Sequence, residues 1–246
     1  MLVSAQPEVL ELDTGASGYY SYEVMDTLRP RPDLESGDSD LSLLSYMHCL
    51  ERAFELYRER VASADIEKTF DYLVFHTPFA GMVKGAHRML LRKMKSASPK
   101  DIENDFEARV APSLSYSIRV GNTCSASIYV ALCSLIDNGS FEMRKRIGLF
   151  SYGSGCASEF YSGVISSEAQ KKLKQFRLAE ALAERRALTM EEYEAISDSS
   201  ADRMCGVRDK KFDVSSYDGI YQECFAGRGL LMLDEIRNFR RKYAWS

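Results

Sequence analysis

None of the six cysteines (Cys49, Cys124, Cys133, Cys156, Cys205 and Cys224) stands in a CxxC pair. That removes the usual zinc and dithiol redox motifs. No apolar run approaches the roughly 18 residues that a membrane span needs. Positive charge is not in excess: 32 Lys and Arg face 36 Asp and Glu, a net charge of −4. Non-specific nucleic-acid binding relies on a basic surface, so this balance disfavours it. There is no charged leader before the apolar Met1-Leu2-Val3, so no signal peptide is expected. No repeat, low-complexity tract or clear linker breaks the chain. Residues 1–246 are therefore expected to form one packed unit with no separate domain boundary. Histidine is scarce, with three in 246 residues, so each one can be weighed singly.

What is present is ordinary for a globular protein: 45% hydrophobic and 28% charged residues. A core of that size does not need disulfides, which points to reduced thiols and a cytoplasmic location. Cys49 and Cys133 lie among apolar residues and read as core fillers. Cys124 and Cys156 lie in small-residue loops, where either can line a site.

Hydrophobic spacing organises the chain. Residues 1–12 suggest a strand pair broken at Pro7. Residues 14–40, rich in Gly, Asp, Ser, Pro and Tyr, read as an extended loop, with Arg29-Pro30-Arg31-Pro32 opposing helix. Leu44, Met47, Leu50, Ala53, Phe54 and Tyr57 predict a helix over 40–62, with Ser39-Asp40 as its cap. Residues 71–76 and 146–152 read as buried strands, and 159–165 as the hairpin partner of the second. Helices are expected over 81–95, 99–110, 125–137 and 167–187, and a short one over 189–197 capped by Thr189 and Glu192. A late strand covers 229–234. Strands alternating with helices predict α/β layering.

His48 and His87 fall in helix patterns and read as surface or boundary residues. His76 ends a buried strand just before Thr77-Pro78. That is where α/β folds gather loops and place titratable catalytic groups, although a satisfied core histidine fits the local pattern equally well. The turns Gly121-Asn122 and Gly153-Ser154-Gly155 each set one polar side chain among small residues. Such turns can offer backbone N–H groups to a ligand oxygen, though most are simply turns. Lys84, Arg88, Arg92 and Lys95 form a basic stripe on one helix face. It is either a solvated face or a docking surface for an anionic partner. Asp26 sits in a loop beside Arg29-Pro30, where it can orient a histidine or cap a turn. No metal-ligand cluster is read from the sequence.

Together these stretches resemble one family. Phe75-His76-Thr77-Pro78-Phe79, Gly121-Asn122-Thr123 and Phe150-Ser151-Tyr152-Gly153-Ser154-Gly155 follow the order and spacing of the 3-hydroxy-3-methylglutaryl-CoA synthases. Val24-Met25-Asp26-Thr27-Leu28-Arg29-Pro30 resembles that family's Asp-containing loop. Gly81 stands where CoA-using members usually carry Lys, which is similar to the polyketide β-branching type. The resemblance implies a thiolase-like layered fold: its C-terminal half plus the end of the N-terminal half. The implied chain covers the last three-fifths or so of a synthase. The apolar start would be an interior strand, and the nucleophilic Cys and general-base Glu would lie outside.

The resemblance also implies roles. His76 is the catalytic hydrogen-bond or proton donor to the acceptor carbonyl, positioned by Asp26 or its loop. Asn122 bonds the thioester or keto oxygen, and Ser154 completes the wall. The basic stripe docks an acyl carrier protein. No cofactor is implied, because the thioesters on phosphopantetheine are substrates. The partners would be a carrier protein, the missing N-terminal half and, when complete, a second copy in a homodimer. The competing readings are a catalytically incomplete scaffolding subunit, and a nucleic-acid or phosphate binder built on the basic helix.

Overall fold

The computed structural model describes residues 3–31, 34–95, 97–200 and 206–246. Its elements run β1 (Glu11–Ser21), β2 (Thr27–Arg31), β3 (Leu34–Gly37), α1 (Ser39–Arg60), β4 (Tyr72–Phe75), α2 (Ala80–Met94) and α3 (Pro99–Arg109). They continue with α4 (Ser117–Val120), α5 (Ser127–Asn138), β5 (Lys145–Gly153), β6 (Ala157–Ile165), α6 (Ser167–Lys174) and α7 (Leu178–Ala183). Last come α8 (Met190–Ser200), β7 (Lys210–Lys211), α9 (Asp218–Cys224), β8 (Leu231–Arg237) and β9 (Arg240–Trp245). The chain divides into two compact units where the sequence marks no boundary: 1–28 with 36–183, and 29–35 with 184–246.

The first unit is built on one sheet with strand order β1-β6-β5-β4. β4 runs parallel to β5, while β6 is antiparallel to both β5 and β1. Both faces of the central strands are covered, which is why they read as continuous apolar runs. Side chains alternate across the sheet. Leu73, Phe75, Phe150 and Tyr152 join one core with α1, α2 and α3. Val74, Ile147 and Leu149 join a second core with α5 and α6. The result is a helix–sheet–helix sandwich, the α/β layering that the element order predicts. Phe54, Tyr57, Phe70 and Phe160 form the aromatic centre of the first core, with Phe54 and Phe160 4.9 Å apart.

The buried face of α1 is Tyr46, Cys49, Leu50, Ala53, Phe54 and Tyr57. Leu44, which the spacing places on that face, is exposed. The helix is capped one residue earlier than expected: Asp38, not Ser39-Asp40, accepts from the Leu41 N–H at 2.9 Å. β1 lies so close to α1 that a Cβ on Gly18 would meet the Ala53 carbonyl oxygen at 2.1 Å. Only glycine permits that approach.

Three expectations are corrected here. No strand pair forms in 3–10; Val9 and Leu10 instead pack on the second core. Met1, Leu2 and Pro32 lie outside the described residues, and Val3 is exposed and in no strand. The segment 14–40 is not an extended loop but strand for much of its length, since β6 supplies an edge onto which a Gly- and Ser-rich sequence can pair. The helix expected over 167–187 breaks after α6 and resumes as α7, with Arg177 at φ +49° between them. Leu173 is the last buried residue before the break, and α7 buries none, so nothing holds one continuous helix.

The second unit carries α8, α9 and the antiparallel sheet β7-β8-β9. α8 starts as expected: Thr189 and Glu192 exchange side chain-to-backbone hydrogen bonds at 2.9 and 3.2 Å. β8 overlaps the late strand expected over 229–234, starting two residues later and running on to Arg237. β9 and α9 carry no signal in their spacing that foretells them. Among the described residues no helix is long and apolar enough to cross a membrane.

Candidate active site

β4 runs parallel to β5 with Phe75 opposite Phe150, and His76 is the first residue past β4. Its amide donates to Phe150 O at 2.7 Å, and its carbonyl accepts from the Tyr46 hydroxyl at 2.7 Å. The backbone is therefore fixed on both sides. The ring is 7% exposed. Its Nδ1 lies 2.7 Å from Ser127 Oγ, the first residue of α5. That same oxygen accepts from the Thr77 amide at 3.1 Å. Burial pulls the pKa of His76 from the ordinary 6.5 down to about 4, so the ring is neutral near pH 7. A neutral imidazole at a strand end can polarise a carbonyl oxygen as a hydrogen-bond donor.

Ser127 opens α5, the helix that follows the small-residue turn. Asn122 is exposed, and its Oδ1 accepts from the Cys124 amide at 2.8 Å. That bond commits the carbonyl end and leaves the amide N–H groups as donors. Cys124 is exposed in the same turn at φ +52°. The Thr123 hydroxyl is buried without a partner.

The third motif is the turn between β5 and β6. Ser154 is exposed in it, and Asp26 lies fully buried beneath it. Asp26 accepts from Gly155 N–H at 3.0 Å, the Ser42 hydroxyl at 2.9 Å and the Tyr152 hydroxyl at 3.2 Å. Burial pushes its carboxyl up, but these bonds, with one from Ser154, outweigh burial and hold it below its ordinary value. Asp26 makes no hydrogen bond to His76. The Tyr152 ring stands between them, its centroid 6.2 Å from that of His76. The carboxylate thus anchors α1 to the Gly153–Gly155 turn. Burial and the Asp26 charge push the Tyr152 phenol well above its ordinary pKa.

Cys156 is buried, with its Sγ 3.3 Å from that of Cys49. Burial pushes the Cys49 thiol up to about 12, so it remains a thiol. His87 is also buried, 1% exposed rather than at the surface, with Nε2 2.7 Å from Asp105 Oδ2. His48 is exposed, as its helix position suggests, and meets the Tyr20 hydroxyl. Among the described residues no group of His, Cys, Asp and Glu is arranged to hold a metal ion.

α2 leaves the site at Ala80 and carries the basic stripe outward. Lys84 pairs with Glu103, and Lys95 with Glu67. Arg88 and Arg92 are exposed, and among the described residues neither has an ion-pair partner. The two arginines, Lys84, Gly81 and Phe106 help line a cleft of about 340 Å³ between α2 and α3.

Comparison with known proteins decides the family. The sequence profile described as "Hydroxymethylglutaryl-coenzyme A synthase C terminal" matches residues 10–105 and 92–246. This chain belongs to the hydroxymethylglutaryl-CoA synthase family. It is 49% identical over 245 residues to the polyketide biosynthesis 3-hydroxy-3-methylglutaryl-ACP synthase PksG of Bacillus subtilis. That match takes in 100% of this chain and 58% of PksG, so the chain spans under two-thirds of its relative's length. Its fold is the thiolase-like one of this family. The curacin biosynthetic pathway HMG synthase, solved in complex with holo donor-ACP, superposes with a TM-score of 0.95 at 49% identity. The superposition covers 99% of this chain and 59% of that one. MvaS in complex with 3-hydroxy-3-methylglutaryl coenzyme A gives a TM-score of 0.78 at 30% identity, over 98% of this chain and 59% of that one.

The His76 and Phe150 stretches meet at the end of β4, and Ser127 brings the start of α5, the helix after the Asn122 turn, to the same histidine. Ser127, Tyr46 and Ser42, which fix these stretches in place, carry no motif of their own.

Proposed function

We propose that this chain supplies the acceptor side of a polyketide HMG-ACP synthase, which condenses a carrier-bound acetyl unit with a β-keto thioester. The observation that carries this reading is the neutral His76, clamped by Ser127 at the start of the helix that follows the Asn122 turn, in a chain 49% identical to PksG over 245 residues. In the reaction, the enolate of an acetyl group held on a cysteine attacks the β-keto carbon, and water then releases the thioester. Charge grows on the keto oxygen during attack, and donors placed in advance stabilise it. His76 and the Asn122 amide are those donors. Asp26 holds the Gly153–Gly155 turn in place, and Ser154 forms part of the wall. The acetyl-bearing cysteine and the base glutamate are not assigned to this chain. The substrates are thioesters on phosphopantetheine, and the reading includes no further cofactor. The complete protein is read as a soluble cytoplasmic homodimer.

The carrier docks on α2. Arg88 and Arg92 offer two exposed charges without ion-pair partners among the described residues, flanked by Lys84 and Lys95, and acidic carrier surfaces complement them. Gly81 at the start of α2 suits a carrier-borne substrate over free CoA.

The direct test uses a polypeptide that carries this sequence at the full length of its relatives. Supplied with acetyl donor-ACP and a β-ketoacyl-ACP, it is expected to form the branched hydroxy acid thioester, read by mass spectrometry. Acetyl loading without any condensed product would overturn the reading. In the same assay, Arg88→Glu with Arg92→Glu is expected to raise KM for donor-ACP about tenfold and to flatten its salt dependence, with kcat changed little. An unchanged KM would remove α2 as the docking surface.

A further inference from the structure

Ser127 has a role that neither its motif nor its spacing suggests. We propose that Ser127 is a positioning residue that sets the tautomer of His76, so that Nε2 carries the proton and faces the acceptor oxygen as a donor. The proposal rests on the reading of His76 given above.

The geometry leaves little freedom. Ser127 is 1% exposed, so its hydroxyl has no access to bulk water. It carries one hydrogen and two lone pairs. One lone pair takes the Thr77 N–H at 3.1 Å. Among the described residues, the acceptor within reach of the hydroxyl hydrogen is His76 Nδ1, at 2.7 Å. Were Nδ1 protonated, it would donate into Ser127 Oγ, and the hydroxyl hydrogen would be buried without an acceptor. Buried polar hydrogens rarely go unpaired. The arrangement with every group satisfied has the hydroxyl donating to Nδ1 and the ring proton on Nε2.

Both ends of this relay are rigid. His76 is tied through its own amide and carbonyl, and Thr77 is tied by its hydroxyl to Phe75 O at 2.8 Å. Ser127 is seated in the first turn of α5, with φ −62° and ψ −33°. Nε2 makes no hydrogen bond within the described residues and is not among the buried atoms left unpaired. It is the ring atom available to a substrate. In the other tautomer, its lone pair would face the oxygen that gains charge.

The tautomer can be read directly. With only three histidines, two-bond ¹H–¹⁵N correlation spectra of the ¹⁵N-histidine-labelled chain resolve each ring, and His76→Gln assigns the His76 signals. Near neutral pH the wild type is expected to show His76 in the Nε2–H form. Ser127→Ala is expected to shift His76 toward the Nδ1–H form or a mixture, with His48 and His87 unmoved. Ser127→Thr keeps the hydroxyl and is expected to restore the wild-type pattern. In the full-length polypeptide, Ser127→Ala should lower kcat for condensation about tenfold to a hundredfold while KM for donor-ACP stays constant. A wild-type His76 in the Nδ1–H form, or an unchanged pattern in Ser127→Ala, overturns the proposal. Once His76→Gln has assigned the signals, the wild-type spectrum decides without Ser127→Ala having to fold. It also reads the tautomer whether or not condensation is the reaction, so the two ideas fail separately.

Discussion

Replacing His76 with Ala is expected to cut condensation by about a hundredfold to ten-thousandfold, the range for a positioned proton-transfer or hydrogen-bonding group. Acetyl loading onto the synthase should persist at its normal rate. The split follows from the geometry. His76 belongs to the end of β4, where Ser127 clamps its ring, and the acetyl-bearing cysteine is not assigned to this chain. Single-turnover mass spectrometry, separating acetyl-enzyme from condensed product, makes the measurement. Equal loss of both steps would instead place His76 in the first half-reaction.

The same residue predicts a pH signature in stability. Its folded pKa of about 4 lies below the ordinary 6.5. Between those values the unfolded chain binds a proton that the folded one refuses, so stability falls as pH drops through that window. His76→Gln should remove that part of the slope while leaving stability near pH 7 largely unchanged. This links the neutral ring needed for donation to a quantity measurable without substrate.

The candidate site was legible where chemistry and local pattern coincide. His76 stands out because an apolar strand ends on a titratable ring, and strand ends face loops in α/β folds. The basic stripe stands out because four charges recur at helical spacing. Ser127 was not legible, since its importance lies in a contact 51 residues away and a serine at a helix start has many ordinary reasons to be there. Asp26 was recognised as a site residue, but its orientation was not. Only the fold shows that its oxygens turn toward Ser42, Tyr152 and Gly155 rather than toward the histidine. The central strands declared themselves because they are buried on both faces. β1 did not, because an edge strand takes its identity from the neighbour it pairs with, and β6 lies about 140 residues further along the chain. The expected 167–187 helix failed for the reverse reason: charge and helical propensity continue past Leu173, whereas full burial does not.

Asp26→Ala is expected to destabilise the first unit by about 2–4 kcal/mol, measured by denaturant unfolding. The carboxylate is fully buried and gathers donors from Ser42 on α1 and from Tyr152, Ser154 and Gly155 at the end of β5. Removing it strands the Tyr152 hydroxyl and the Gly155 N–H, and a buried donor left unpaired costs about 1–3 kcal/mol. Ser42 is half-buried and can turn to water, so it adds less. Asp26→Asn keeps a carbonyl to accept from Gly155, and its NH2 donates to the two hydroxyl oxygens in place of accepting from them, so its loss should be smaller. The acid limb separates charge from shape. The folded pKa of Asp26 lies below its ordinary 3.8, so its stabilisation is present above that pH and is lost as pH falls through the folded value. Asp65 and Asp105 are lowered too, so acid unfolding will remain in any variant. The difference between wild type and Asp26→Asn isolates the Asp26 share: a gap present near pH 7 that narrows below pH 3.8. A constant gap across that range would mean that the carboxylate acts through its shape alone.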